Sequence, residues 1–245
     1  MSEAIVVSSQ EPWSVVQASG SDAPVDGYVP GEHRFMVSGP AGQIEVALSV
    51  PSSEAGGFAI VCHPHPLMGG TMDNKVVTTL ARACRDAGLM TIRFNFRGVA
   101  ASSGSFDQGT GEQSDVLALA KWAETQFVLP WRVLAGFSFG AYVSAQVHAG
   151  LSADAASPSQ PRLWLVAPPV TRFALSAQAL PAGTRVIYGD ADEVVDPTAI
   201  ADWLRAASED VQITVVPGAG HFFHGQLSVL KAWAQRACRE TEHAS

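Results

Sequence analysis

From His33 onward, short apolar runs rich in β-branched residues alternate with longer segments whose apolar positions recur at helical spacing. The runs predict strands at 34–37, 44–50, 58–62, 90–96, 132–136, 163–166, 185–188 and 211–216. Unbroken runs such as FAIVC and RVLAGF suit strands buried on both faces of a parallel sheet. Between them lie helical patterns with their own punctuation. After Asp73, a candidate N-cap, Val76, Val77, Leu80, Ala81 and Cys84 share one face, and Gly88 is placed to end that helix in the left-handed conformation. Asp196 followed by Pro197 opens another helix through Trp203 and Leu204, and a last one carries Leu227, Leu230, Trp233 and Ala237. The order is three strands, then helix and strand in alternation. It predicts an α/β fold: a mostly parallel twisted sheet of about eight strands with helices on both faces.

The N-terminal part behaves differently. Residues 20–31, GSDAPVDGYVPG, place Gly, Pro, Ser or Asp at eight of twelve positions, which favours turns and denies a continuous apolar face. Residues 1–31 are therefore expected to form an extension, in part disordered, ahead of one domain at 32–245.

Composition narrows the class. With 47% hydrophobic and 16% charged residues in 245, the chain has what one sizeable core needs. Fifteen Lys and Arg against twenty-three Asp and Glu give a net charge of −8, which repels phosphate backbones and anionic lipid surfaces, so neither nucleic acid nor membrane is an expected partner. Cys62, Cys84 and Cys238 share no metal-type spacing and sit in apolar segments, as reduced core residues do. The start, MSEAIVVSSQEPW, has no Lys or Arg and only a three-residue apolar run, so it does not read as a secretory signal, and a cytoplasmic location is expected.

The chemistry concentrates at the ends of the predicted strands. Trp131 to Gly140 reads WRVLAGFSFG: an apolar strand ending in Gly136-Phe137-Ser138-Phe139-Gly140 immediately before a helical run. This is G-x-S-x-G in the strand-turn-helix context that gives it meaning. A nucleophile at the tip of so tight a turn adopts strained dihedrals, and glycines on either side let strand and helix nearly touch. The amide of Phe139, opening the helix, would point at an oxyanion developing beside Ser138.

A hydroxyl near neutral pH needs a base, and the base a carboxylate that fixes its tautomer. Downstream, Gly189-Asp190-Ala191-Asp192-Glu193-Val194-Val195 offers two aspartates, of which Asp190 lies close enough to its strand to cap the turn. Beyond the next strand, Gly218-Ala219-Gly220-His221-Phe222-Phe223-His224 offers two histidines. His221, at the tip of a loop of small residues, is the candidate base, and His224 the rival at a helix start. The third strand ends in Cys62-His63-Pro64-His65-Pro66-Leu67-Met68-Gly69-Gly70. Its H-x-H invites a metal reading, but the Asp-His pair that binuclear hydrolases place directly after it is absent, and no metal or cofactor is expected.

Together HPHPLMGGTMDNKVV (63–77), RFNFRGV (93–99), SSGSFD (102–107), GFSFG (136–140), GDADEVV (189–195) and GAGHFF (218–223) resemble the small, lidless serine hydrolases of the α/β-hydrolase superfamily, similar to dienelactone-hydrolase-like and carboxylesterase-like proteins. The resemblance spans most of the chain after residue 33. It implies the α/β-hydrolase fold and esterase-type acyl transfer with Ser138 as nucleophile, His221 as base and Asp192, in the pattern G-x-x-D-x-x-V, as the acid. It also implies a second backbone oxyanion donor from the 63–70 loop. Pro64 and Pro66 have no N-H, so His65 is the first available, with Leu67 or Met68 as alternatives. Dienelactone hydrolases proper use cysteine where this chain has Ser138. Arg97, in the R-G after the fourth strand, is expected to serve structure.

Superfamily members acting on bulky lipids insert a helical cap before the acid-bearing strand. The connection 167–184 is too short for one, so the site is expected to be open, lined by Leu67, Met68, Phe137, Phe139, Phe222 and Phe223, about half of which should prove to be core. The expected activity is hydrolysis of a small-molecule ester. A thioesterase or peptidase would use the same residues, and a hydrolase-fold binding protein without catalysis is the alternative of a different class.

Overall fold

The computed structural model describes residues 15–17, 28–153 and 160–242. Most of the turn-rich segment 20–31 and the expectation of disorder in the extension lie outside the described residues.

Among the described residues nine strands form one sheet: β1 (Val15–Gln17), β2 (Gly31–Gly39), β3 (Gly42–Val50), β4 (Phe58–Cys62), β5 (Met90–Phe94), β6 (Trp131–Phe137), β7 (Arg162–Val166), β8 (Arg185–Gly189) and β9 (Gln212–Val216). Their order across the sheet is β1-β2-β3-β5-β4-β6-β7-β8-β9. Only β3 runs against the others: β2 and β5 pair with it antiparallel, whereas the pairs from β5 through β9, and β1 with β2, are parallel. The eight expected strands are all present. The ninth, β1, falls within the expected extension and pairs Val15–Gln17 with Arg34–Met36.

The described residues also form five α-helices: α1 (Lys75–Asp86), α2 (Thr110–Phe127), α3 (Phe139–Ala153), α4 (Pro197–Leu204) and α5 (Leu227–Glu242). Strand parity sorts the core into two halves, because successive side chains leave a strand on opposite faces. Ile60, Cys62 and Leu134 pack with α2, α3 and α4 on one face. Ala59, Val61, Val133, Ala135 and Phe137 pack with α1 and α5 on the other. Both faces are covered, as the unbroken apolar runs require.

The helix boundaries follow local chemistry, with one correction. Asp196 caps α4 through Thr198 N at 2.9 Å with Pro197 in its first turn, and Gly88 (φ 81°) follows α1. The N-cap of α1 is Asn74 rather than Asp73: Asn74 Oδ1 accepts from Val76 N at 2.9 Å. Asp73 is drawn away by two guanidiniums, Arg34 Nη2 at 2.6 Å and Arg93 Nη1 at 3.0 Å, which tie the loop ahead of α1 to the sheet. Arg97 meets Asp115, 1% exposed, through two side-chain hydrogen bonds of 3.0 and 2.8 Å and so locks the segment after β5 to α2. No helix among the described residues is long and apolar enough to cross a membrane. All three cysteines are buried and unpaired by disulfide.

Candidate active site

Four segments that follow the carboxyl ends of parallel strands β4, β6, β8 and β9 meet at one edge of the sheet, where open α/β sheets place their ligands. The central one is the turn from β6 into α3. Ser138 has φ 53°, a left-handed conformation that a side-chain-bearing residue adopts at a cost of roughly 1–2 kcal/mol, and its neighbours hold it there. Its amide donates to Val166 O at 2.9 Å, and its carbonyl accepts from Ala141 N at 2.8 Å. A Cβ on Gly136 would stand 2.1 Å from Gly140 O, and one on Gly140 would stand 2.4 Å from Cys62 O. No side chain fits at either position while strand and helix approach so closely. Ser138 is left partly exposed at the tip.

The candidate acid and base are joined. Asp192 Oδ2 lies 2.7 Å from His221 Nδ1, and both side chains are almost wholly buried. Asp192 Oδ1 accepts two amides, Val194 N and Val195 N, each at 2.8 Å. Burial alone would raise the Asp192 pKa. The hydrogen bonds from His221 and from those amides outweigh it, and the carboxyl is held below its ordinary value. With Nδ1 given to the carboxylate, His221 presents Nε2 as its remaining nitrogen. Its ring lies against Phe137, one residue before Ser138, at a centroid distance of 4.9 Å. Among the described residues no hydrogen bond joins Ser138 Oγ to His221, and such catalytic contacts often tighten only in the substrate complex.

The rival residues have other tasks. Asp190, exposed, accepts Gly218 N at 2.6 Å and thereby clips the loop that carries His221. His224 is exposed, its ring 5.8 Å from Phe222. Glu193, not singled out from the sequence, accepts His221 N at 3.1 Å, and a Cβ on Gly220 would stand 2.6 Å from its Oε2. Its position directly after Asp192 was the only available signal.

The 63–70 loop divides its two histidines. His63 is fully buried: Phe96 N donates to Nε2 at 3.0 Å, so the ring proton sits on Nδ1, which donates to Pro64 O at 2.6 Å. Burial lowers its pKa to about 4, against a smaller opposing effect of the Pro64 carbonyl. Both nitrogens serve backbone groups, and neither remains for a metal. His65 stands at the start of a 3-10 turn, Pro66–Met68, with Leu67 N donating to its Nδ1 at 3.2 Å. Met68 N and Gly70 N both donate to His65 O, at 3.0 and 3.1 Å, folding the loop back on itself. The His65 and Phe139 amides have no protein acceptor among the described residues, and the rings of the two residues are 5.1 Å apart.

Of the six apolar residues expected at the mouth, Leu67, Met68 and Phe222 are exposed at 70%, 76% and 36%, whereas Phe137, Phe139 and Phe223 are buried. Phe137 therefore supports His221 and Phe222 from below and does not face the mouth. Alternation along β6 carries that information, since Val133, Ala135 and Phe137 share a face.

No protein-family model matches the chain. Among solved structures it is similar to XC6422 of Xanthomonas campestris, described as an α/β serine hydrolase without a lid: 41% identity over 89% of this chain and 98% of that one, TM-score 0.80. An α/β serine hydrolase homologue from Coxiella burnetii matches at 43% identity over 85% of this chain and 98% of that one, TM-score 0.76. The uncharacterized protein RP471 of Rickettsia prowazekii is 32% identical over 206 residues, 78% of this chain and 82% of that protein. The chain belongs to the α/β serine hydrolases without a lid.

Proposed function

We propose that the protein is a carboxylesterase of small acyl esters, with Ser138, His221 and Asp192 as its triad. The observation that carries this is the 2.7 Å bond between His221 Nδ1 and Asp192 Oδ2, with the His221 ring 4.9 Å from that of Phe137, the residue before Ser138 at its positive-φ turn. Ser138 Oγ attacks the ester carbonyl and passes its proton to His221 Nε2, while Asp192 fixes the tautomer and stabilises the imidazolium. The oxyanion is taken by the Phe139 amide, whose place at the first turn of α3 leaves it without an intrahelical acceptor, and by the His65 amide. His221 then protonates the leaving alkoxide, and a water repeats the sequence on the acyl-enzyme. Thioester and peptide cleavage require the same groups, so the leaving group is a matter for assay.

Purified protein should be labelled by a fluorophosphonate and should turn over p-nitrophenyl acetate, and Ser138→Ala should lose both, the rate falling by at least about four decades. Retention of either by the Ala variant sinks the proposal. Parallel rates on short alkyl esters, acyl-CoA and peptides decide among the three acyl donors.

A further inference from the structure

The residues on either side of the nucleophile send their rings to opposite faces of the sheet. Phe137 belongs to the α1/α5 half of the core and supports His221 and Phe222. Phe139 belongs to the other half, where the fully buried Phe96 ring lies 5.7 Å from it and four further rings gather from separate segments: His65 at 5.1 Å, Phe106 at 5.6 Å, Phe173 at 5.3 Å and Tyr142 at 6.0 Å. These four touch one another as well: Tyr142 stacks on Phe173 at 4.7 Å and 26°, and His65 meets Phe106 at 4.9 Å. Among the described residues no ring contact joins this group to the Phe137, His221 and Phe222 group. Phe139 is buried, but the other four rings each keep part of their surface exposed.

Chemistry assigns the two sides. Resting on the proposed Ser-His-Asp mechanism, the leaving oxygen must lie within reach of His221, because that residue returns its proton. The leaving group therefore occupies the Phe222 side. Bonds at a tetrahedral carbon diverge, so the acyl substituent points away from His221, toward the rings around Phe139. From this placement we infer that the acyl subsite is an aromatic one and that the enzyme selects esters of flat aromatic acids, such as aryl-acetyl or benzoyl groups, over linear alkanoates of similar bulk. Aromatic ligands gain on such a surface beyond area burial, because ring pairs at 4.5–7 Å in tilted or offset geometry attract through their quadrupoles. His65 takes part as a neutral ring: burial and then the Arg172 charge lower its pKa, with Glu112 opposing them. Room for Tyr142 is made by Gly109, where a Cβ would stand 2.5 Å from the Tyr142 ring.

The experiment holds the leaving group constant and varies the acyl side, comparing kcat/KM for p-nitrophenyl phenylacetate and p-nitrophenyl hexanoate. The expected ratio is at least about ten in favour of the aryl ester. Phe173→Leu and, separately, Phe106→Leu, which keep apolar bulk and lose the ring, should each bring that ratio toward unity. In contrast, the ratio for benzyl acetate over hexyl acetate, which differ on the leaving side, should stay as in the wild type. A wild-type ratio near or below one overturns the inference, as does an equal fall for both acyl esters in both variants, which marks a structural role. Absence of turnover of every ester together with absence of fluorophosphonate labelling is the separate failure of the esterase reading.

Discussion

Replacing Asp192 by Asn separates what this residue does for the fold from what it does for chemistry. The carboxylate holds three donors: Val194 N and Val195 N on Oδ1 and His221 Nδ1 on Oδ2. An asparagine oxygen at Oδ1 keeps both amides. Its NH2, facing His221, donates where the carboxylate accepted, so the imidazole must turn its Nδ1 lone pair toward it and carry its proton on Nε2. A protonated Nε2 cannot take the Ser138 proton. The expected fall in kcat is about 10⁴, equivalent to about 5 kcal/mol of transition-state stabilisation. The cost to stability is about 1 kcal/mol, the difference between a charge-assisted and a neutral hydrogen bond. Asp192→Ala should behave differently. It orphans the amide of Val195, 1% exposed, at roughly 1–3 kcal/mol, while the amide at partly exposed Val194 rehydrates. Urea midpoints and p-nitrophenyl acetate kinetics on the two variants give the comparison. An Asn variant within ten-fold of wild-type kcat would refute the assigned role. Because the folded pKa of Asp192 is depressed, its stabilising contribution is complete above the ordinary carboxylate pKa and is lost as pH falls through the lower folded value.

Other expectations concern the scaffold. Gly140→Ala places a Cβ 2.4 Å from Cys62 O and 2.7 Å from His63 O, so it should destabilise by about 3 kcal/mol and cut kcat at least ten-fold, read by thermal unfolding and ester kinetics. Buried His63, with its pKa lowered to about 4, favours the native state only while neutral. Unfolding free energy should therefore rise by about 3 kcal/mol between pH 4 and 6.5, and His63→Gln should flatten that rise in urea titrations across the window. Ser138→Gly should be more stable than Ser138→Ala by about 1 kcal/mol, the reverse of their order at an ordinary position, because only glycine relieves φ 53°. Glu193→Gln, which keeps an acceptor for His221 N at 3.1 Å, should hold kcat within about three-fold, whereas Glu193→Ala should lower it about ten-fold.

How much of this the chain displays locally depends on the range of the cause. Central strands such as β4 and β7 are legible because burial on both faces demands unbroken apolar runs, and the edge strand β9 is legible by its β-branched residues although Ile213 and Val215 are exposed. The elbow is legible because its close approach lies within Gly136 to Gly140. Strand β1 is not, since three residues gain their extended form only by pairing with β2 across the intervening segment. Asp73 and Asn74 are equally good caps by type. Arg34, thirty-nine residues away, and Arg93 take the first and leave the second to α1. The same holds for the ring cluster: nothing local to Phe106, Tyr142 or Phe173 says that they meet, and only the tertiary fold brings them over Phe139. Phe137 is among the half expected to be core: it is fully buried beneath His221 and Phe222.

The short connection between β7 and β8 changes where catalytic advantage can come from. A capped hydrolase can close over its substrate, expel water and strengthen every interaction inside. Here the 167–184 connection contributes a short 3-10 turn, Ala177–Ala179, and Phe173 beside the site in place of a domain. Selectivity must then rest on surfaces fixed before substrate arrives, and so must oxyanion stabilisation. In the proposed mechanism the 63–70 loop supplies that. Its two prolines restrict it, His65 O accepts two amides, and a Cβ on Gly70 would stand 2.2 Å from Pro64 O, so the loop folds back too tightly for a side chain there. Its root is pinned by neutral His63 between Phe96 N and Pro64 O. Donors held this rigidly need no reorganisation as charge develops, which is the condition for electrostatic stabilisation in a site that water can enter.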